Sequence, residues 1–380
     1  MRTATATAAA VTTTLLGAGA AAVAAAVAAG RHAAEAALRS EPGRPLSGGQ
    51  RLSVHSTAAG RVSLTRSLAS LRPGTYGLVA PGVHAVVGPV VADADHYPDT
   101  VVRQLLTVNH GALAPGTRVT LTPQVYVGNP SSALGLDHAD VDIPGELGAL
   151  PAWFVPAARD TWVITVHGLG GTREHPMVVM PFLHRHQLPV LDLAYRGDLG
   201  APASPDGIGH LGESEWRDLD AAIRYAVRYG ARRVVLHGWS TGATMALHAA
   251  ERSALADRIC GLVLDSPVLD WHATLRGLAA ARRTPAVVLP LAVWAAEGLA
   301  GLRADRRPPG ADPGALRVPV LIFHGPDDTL APWGPSRRLA AARPDLVGLH
   351  TVPGAGHGAM WNADPAGYEE ALRRFLTPLM

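Results

Sequence analysis

The chain has 380 residues, 48% of them hydrophobic and 17% charged, with a formal net charge of +2. So apolar a composition excludes a largely disordered chain, and the balanced charge without a basic run excludes a nucleic-acid surface. Cys260 is the one cysteine, which excludes an intrachain disulfide. With no cysteine pair and no H-E-x-x-H spacing, neither a metal nor any other cofactor is expected.

From Ala8 to Ala29 the chain carries no charge. About 20 such residues suffice to span a bilayer as a helix. Residues 1–30 therefore read as an apolar N-terminal helix that anchors the protein to a membrane. A signal peptide cut at Ala26-Val27-Ala28, giving a secreted protein, is the alternative. Arg31, Arg39, Arg44 and Arg51 follow and favour a cytoplasmic body by the positive-inside tendency. Residues 31–50 end in a Pro-, Gly- and Ser-rich stretch, Ser40 to Gln50, and read as a linker.

Residues 51–130 change character. "RLSVHS", "RVSLTRS", "TYGLVA", "HAVVGPV", "QLLTVN" and "RVTLTPQVYVG" are short, rich in β-branched residues and separated by Gly/Pro turns. That pattern predicts a small antiparallel β module. No cluster of catalytic residue types stands out within it.

Residues 131–380 alternate between strand and helix. "DVDIPGELGALPAWFVP" reads as a hairpin. The strands "TWVITVHG", "LPVLDLAYRG", "ARRVVLHG", "GLVLDS", "VPVLIFHG" and "LVGLHTVPG" then follow, with helical stretches such as "SEWRDLDAAIRYAVRYG" between them. Apolar runs without alternation suit strands buried on both faces, so an α/β fold with a mostly parallel sheet and helices on both faces is predicted. Residues 271–316 form a longer insertion between two strands, with an apolar helix suited either to lining a pocket or to core. Trp239, Trp271, Trp294, Trp333 and Trp361 lie in or near these loops and could build an aromatic pocket.

The sharpest signal is "GWSTG", Gly238 to Gly242, which follows a strand and opens a helix. Gly238 and Gly242 leave room for a tight turn that exposes Ser240 beside the helix N-terminus, where developing negative charge is favoured. Trp239 and Thr241 complete the turn. A serine nucleophile needs a base, and the base needs an orienting acid. His357, after the last strand, is the candidate base. Asp328, after "VLIFHG", is the candidate acid, with Asp265 at the end of "GLVLD" as its rival. Thr241 and Leu169 are the candidate backbone donors to an oxyanion. Leu169 sits in the glycine loop His167-Gly168-Leu169-Gly170-Gly171. His167, His237 and His324 read as loop-shaping hydrogen-bonders.

Together "GWSTG", "VHGLGG", "LIFHGPDDTLAP", "GAGH" and "LAYRG" resemble the α/β-hydrolase superfamily over about residues 137–380, closest in kind to serine aminopeptidase-like hydrolases, acyl esterases and thioesterases. The resemblance implies the α/β-hydrolase fold, a triad of Ser240, Asp328 and His357, and an acyl-enzyme. It therefore implies a serine hydrolase acting on an ester, thioester or peptide, with a small-molecule or peptide acyl substrate. An acyltransferase on the same triad and a non-catalytic membrane-tethered binding protein are the alternatives. Residues 51 to about 128 match no part of that family's core, and the resemblance implies that the insertion at 271–316 is a cap whose apolar helix could line an acyl pocket.

Overall fold

The computed structural model describes residues 25–39, 50–92, 97–302 and 312–380. Most of the apolar N-terminal stretch and residues 40–49 of the expected linker lie outside the described residues. Among the described residues, no helix is long and apolar enough to cross a membrane.

The β module is a closed barrel. Its strands are β1 (Leu52–Ala58), β2 (Arg61–Thr65), β3 (Tyr76–Ala80), β4 (Val83–Val90), β5 (Thr100–His110) and β6 (Arg118–Thr122). They run antiparallel in the order β1-β2-β5-β4-β3-β6, and β1 closes the ring by pairing with β6. Alternation puts Leu52, Val54, Val62, Leu64, Tyr76, Leu78, Val119 and Leu121 inside. The last strand stops at Thr122, short of the predicted run, because Pro123 has no N–H for the ladder. Closure also leaves no open sheet edge to template aggregation.

After a short helix, α2 (Pro130–Leu134), the expected hairpin forms as β7 (Ala139–Pro144) and β8 (Ala149–Val155). The sheet continues with β9 (Thr161–Val166), β10 (Val190–Leu193), β11 (Arg233–Trp239), β12 (Ile259–Asp265), β13 (Val320–His324) and β14 (Val347–Thr351). The spatial order is β14-β13-β12-β11-β9-β10-β8-β7, with every pair from β10 to β14 parallel. Successive residues feed opposite layers. Ile164, Leu236 and Leu264 pack against α4 (Trp216–Arg228), α5 (Thr241–Arg252) and α8 (Trp333–Ala342). Val163, Val235 and Val263 pack against α3 (Met180–Arg185) and α10 (Pro365–Leu376). Helices thus cover both faces, as predicted.

The insertion after β12 supplies α6 (Trp271–Ala281) and α7 (Leu289–Leu299), and residues 303–311 lie outside the described residues. A helix over residues 25–38, α1, docks against this pair. Residues 31–38, expected in the linker, are therefore helical. Ala34, Ala37 and Leu38 join Trp271, Leu275, Leu278, Val293 and Leu169 in one apolar cluster. The contact at Gly30 is so close that a Cβ there would stand 2.8 Å from Leu291 Cβ. The last helix but one, α9 (Met360–Ala363), follows the His357 loop.

Candidate active site

Register decides what the sheet brings together. Val166 lies opposite Gly238, Trp239 opposite Asp265, Asp265 opposite Phe323, and His324 opposite Thr351. The carboxyl ends of β9, β11, β12, β13 and β14 therefore form one edge. Strand order reverses between β9 and β11, the switch point where crevices open in such sheets.

Ser240 sits at that point with φ +52° and ψ −115°, and is 5% exposed. A non-glycine residue held there stores roughly 1–3 kcal/mol. The turn is held by its N–H, which donates to Asp265 O at 2.8 Å. The approach of its flanks also fixes it. A Cβ on Gly238 would stand 2.3 Å from Gly242 O, and one on Gly242 2.3 Å from Val166 O. No larger residue fits either place, and α5 opens at the next residue, Thr241.

His357 Nε2 lies 2.7 Å from Ser240 Oγ, and His357 Nδ1 lies 2.8 Å from Asp328 Oδ2. A carboxylate only accepts, so Nδ1 carries the proton and Nε2 is left to accept from the hydroxyl. Asp328 is saturated. Its Oδ1 accepts the N–H groups of Leu330 and Ala331, both at 2.9 Å, and its Oδ2 also accepts from His324 Nε2 at 3.1 Å. His324 Nδ1 rests on Ser336 Oγ at 2.8 Å. Burial would raise the Asp328 carboxyl, but the charge and hydrogen bond of His357 and those of His324 hold it well below the usual carboxylate range. Burial would lower His357, but Asp328 outweighs it and raises the imidazole above its ordinary value.

The loop carrying His357 is pinned on three sides. Gly354 N–H donates to Asp327 Oδ2 at 2.7 Å. Gly358 N–H donates to Ser266 Oγ at 2.9 Å, and that hydroxyl donates to Asp265 Oδ1 at 2.8 Å. His175 Nε2 donates to Gly358 O at 2.9 Å. Burial lowers His175 to about 4, which keeps it neutral. Asp265, the rival acid, acts here through Ser266 and does not contact His357. Burial raises its pKa to about 7.

Of the expected oxyanion donors, Leu169 N–H already donates to Thr241 Oγ1 at 2.8 Å. An incoming oxygen must therefore compete with that hydroxyl, which sequence reading did not foresee. Gly168 lies against Ser240, where a Cβ would stand 2.7 Å from Ser240 Cβ. Gly170 takes φ +73° and turns the loop. His167 donates from Nδ1 to Gly168 O and from Nε2 to Asp198 Oδ2, both at 2.9 Å, so it shapes the loop. His237 lies on Tyr368 Oη at 2.9 Å and stacks on Trp239, which is buried below the turn.

A cavity of 380 Å³ opens at His357. Its walls come from three places: α6 (Gly277, Ala280, Ala281), the loop after Asp328 (Thr329, Leu330), and the barrel (Leu68, Ala69, Arg72, Tyr76, Leu121 to Pro123). None of the five tryptophans lines it, which corrects the expected aromatic pocket. Trp294 and α7 instead border a separate apolar groove against α1. The barrel's contribution was missed because nothing along the chain sets "LRPGTY" beside His357. Among the described residues, no group of acidic, His or Cys side chains is arranged to hold a metal ion.

Comparison with known proteins picks out the barrel. Residues 53–122, the barrel, match the model of a domain of unknown function, DUF8805. An uncharacterised protein of Mycobacterium tuberculosis is 28% identical over 235 residues, which are 60% of this chain and 75% of that one. Among solved structures, an esterase of Pyrococcus furiosus aligns with 66% of this chain and 95% of its own at 23% identity and a TM-score of 0.56. A proline iminopeptidase-related protein of Thermus thermophilus aligns with 64% of this chain and 99% of its own, at 18% identity and a TM-score of 0.50. These likenesses show the fold. The strand–helix body is an α/β-hydrolase fold, as the sequence resemblance implies.

Proposed function

We propose that the protein is a serine hydrolase that cleaves an acyl bond through Ser240, His357 and Asp328. The observation that carries this reading is the unbroken relay Ser240 Oγ–His357 Nε2 at 2.7 Å and His357 Nδ1–Asp328 Oδ2 at 2.8 Å, on a strained strand-to-helix turn. His357 Nε2 takes the hydroxyl proton as Ser240 Oγ bonds to the acyl carbon. Asp328 stabilises the imidazolium and fixes its tautomer. The N–H groups of Thr241 and Leu169 receive the negative oxygen, the latter by displacing the Thr241 hydroxyl. As the carbon–heteroatom bond breaks, His357 gives its proton to the leaving group. Water, deprotonated by His357, then releases the acid from the acyl-serine.

A carboxylic ester is the substrate class we favour, in line with the activity named for the Pyrococcus protein of like fold. The test is labelling of the full-length protein with a fluorophosphonate and mapping of the adduct. Labelling at Ser240 that is lost in His357→Ala supports the reading. A folded protein that takes up no label overturns it.

A further inference from the structure

The cavity at His357 carries one formal positive charge and one unused buried donor, both from the barrel. Arg72 lines it between β2 and β3, and its guanidinium packs on Gly356, the residue before His357. A Cβ on Gly356 would stand 2.4 Å from Arg72 Nη1. Among the described residues the Arg72 side chain has neither an ion pair nor a hydrogen bond. Tyr76 is 1% exposed, and its buried hydroxyl has no partner. No acidic residue lines the space.

The orphan phenol is expensive to bury unless something accepts from it, and the half-buried Arg72 guanidinium at the same cavity brings a positive charge with no counter-charge among the described residues. The position is also built, since Arg103 donates to the carbonyls of Ser70, Arg72 and Gly74 and so fixes the segment that presents Arg72.

We propose that Arg72 and Tyr76 form an anion subsite, so that the substrate is an ester whose leaving alcohol bears a carboxylate or phosphate group. This rests on the serine hydrolase reading. The side of the bond follows from geometry. The space touches His357, which hands its proton to the leaving group, and does not include Leu169 or Thr241, where the carbonyl oxygen goes. Guanidinium pairs with either oxyanion through two parallel N–H bonds, and the phenol adds a third donor. The barrel thereby acquires a role: it selects among alcohols while the hydrolase body supplies the chemistry.

The test compares kcat/KM of the full-length protein for three acetyl esters: 4-acetoxybenzoate, 4-acetoxyphenyl phosphate and the neutral 4-acetoxybenzamide. The expected preference for the better anion over the amide is roughly tenfold or more, the scale of a charge-assisted hydrogen bond. Which anion leads separates a carboxylate from a phosphate substrate. Arg72→Gln is expected to bring the ratio near one and Arg72→Lys to keep part of it. Tyr76→Phe is expected to lower it by a smaller factor. The ratio is internal to each variant, so a change in the amount of folded enzyme does not move it. Equal ratios in wild type and Arg72→Gln overturn the subsite. Hydrolysis of the amide ester without anion preference overturns the subsite and leaves the hydrolase reading standing. Absence of both hydrolysis and Ser240 labelling overturns both.

Discussion

Arg103 Nη1 donates to the carbonyl oxygen of Arg72 at 2.7 Å, from a side chain with no exposure at all. The same guanidinium reaches Gly88 O at 2.9 Å, Ser70 O at 3.0 Å and Gly74 O at 2.6 Å. A buried cation is here satisfied by carbonyl oxygens, and burial lowers its pKa to about 10. Arg103→Met is expected to leave these acceptors bare and to cost about 3 kcal/mol or more in urea unfolding. Arg103→Lys recovers little, because a point charge on a flexible stem does not reproduce the fork. A loss under about 1 kcal/mol would show that the 70–74 segment is held by something else.

Ser240 and Gly168 are in contact across the turn, and this makes a second prediction. An added methyl at Gly168 meets Ser240 Cβ at 2.7 Å and Trp239 O at 3.1 Å. The backbone oxygen has nowhere to go, so the serine side chain moves. Gly168→Ala is expected to slow fluorophosphonate labelling and to lower kcat/KM for a simple acetyl ester by roughly 100-fold, the scale of an ångström-level misplacement. Rates near wild type would mean that the turn relaxes without disturbing Ser240.

The candidate site was legible because its parts sit at strand ends. Ser240, Asp328 and His357 each follow an apolar run that could be read in one dimension, and parallel register did the rest. The barrel was legible only as strands. Its link to the site depends on closure of β1 on β6 and on the packing of Ala359 into the barrel core, contacts between residues far apart in sequence. Nor could hydropathy tell that residues 25–38 form a helix that packs on α6 and α7, since an Ala-rich stretch suits many apolar surroundings. The burial of Gly30, Ala34, Ala37 and Leu38 has helical spacing, and that spacing was a signal of docking left unread.

The docking of α1 gives a third prediction. At Gly30 the helix approaches α7 too closely for any side chain, with Leu291 Cβ at 2.8 Å and Leu291 C at 3.1 Å from a Cβ built there. Gly30→Leu is expected to lift α1 off α6 and α7. Amide exchange should then speed up over residues 25–38 and over Leu275 and Leu278, while the barrel strands stay protected. Unchanged exchange over α1 would show that the helix accommodates the side chain by a shift along α7.

The pH dependence follows from the pull between His357 and Asp328. In the proposed mechanism His357 must be neutral at Nε2 to accept the serine proton, and Asp328 raises its pKa above the ordinary imidazole value, about 6.5. The kcat/KM of an acetyl ester should therefore fall as pH drops through a point above that value. In Asp328→Asn the carboxylate charge is gone. Burial, which lowers the imidazole, then meets less opposition, so the acid limb of the residual activity should move to lower pH. The rate itself should drop by about 10⁴-fold, because the asparagine amide can donate to Nδ1 and so place the ring proton on Nε2, where it blocks the serine. The two effects have different origins, one electrostatic and one tautomeric, and a purely structural role for Asp328 lowers the rate without moving the limb. The measurement is a pH–rate profile of both proteins from pH 5 to 9. An acid limb at the same pH in both would remove Asp328 as the partner of His357 and return Asp265 to consideration.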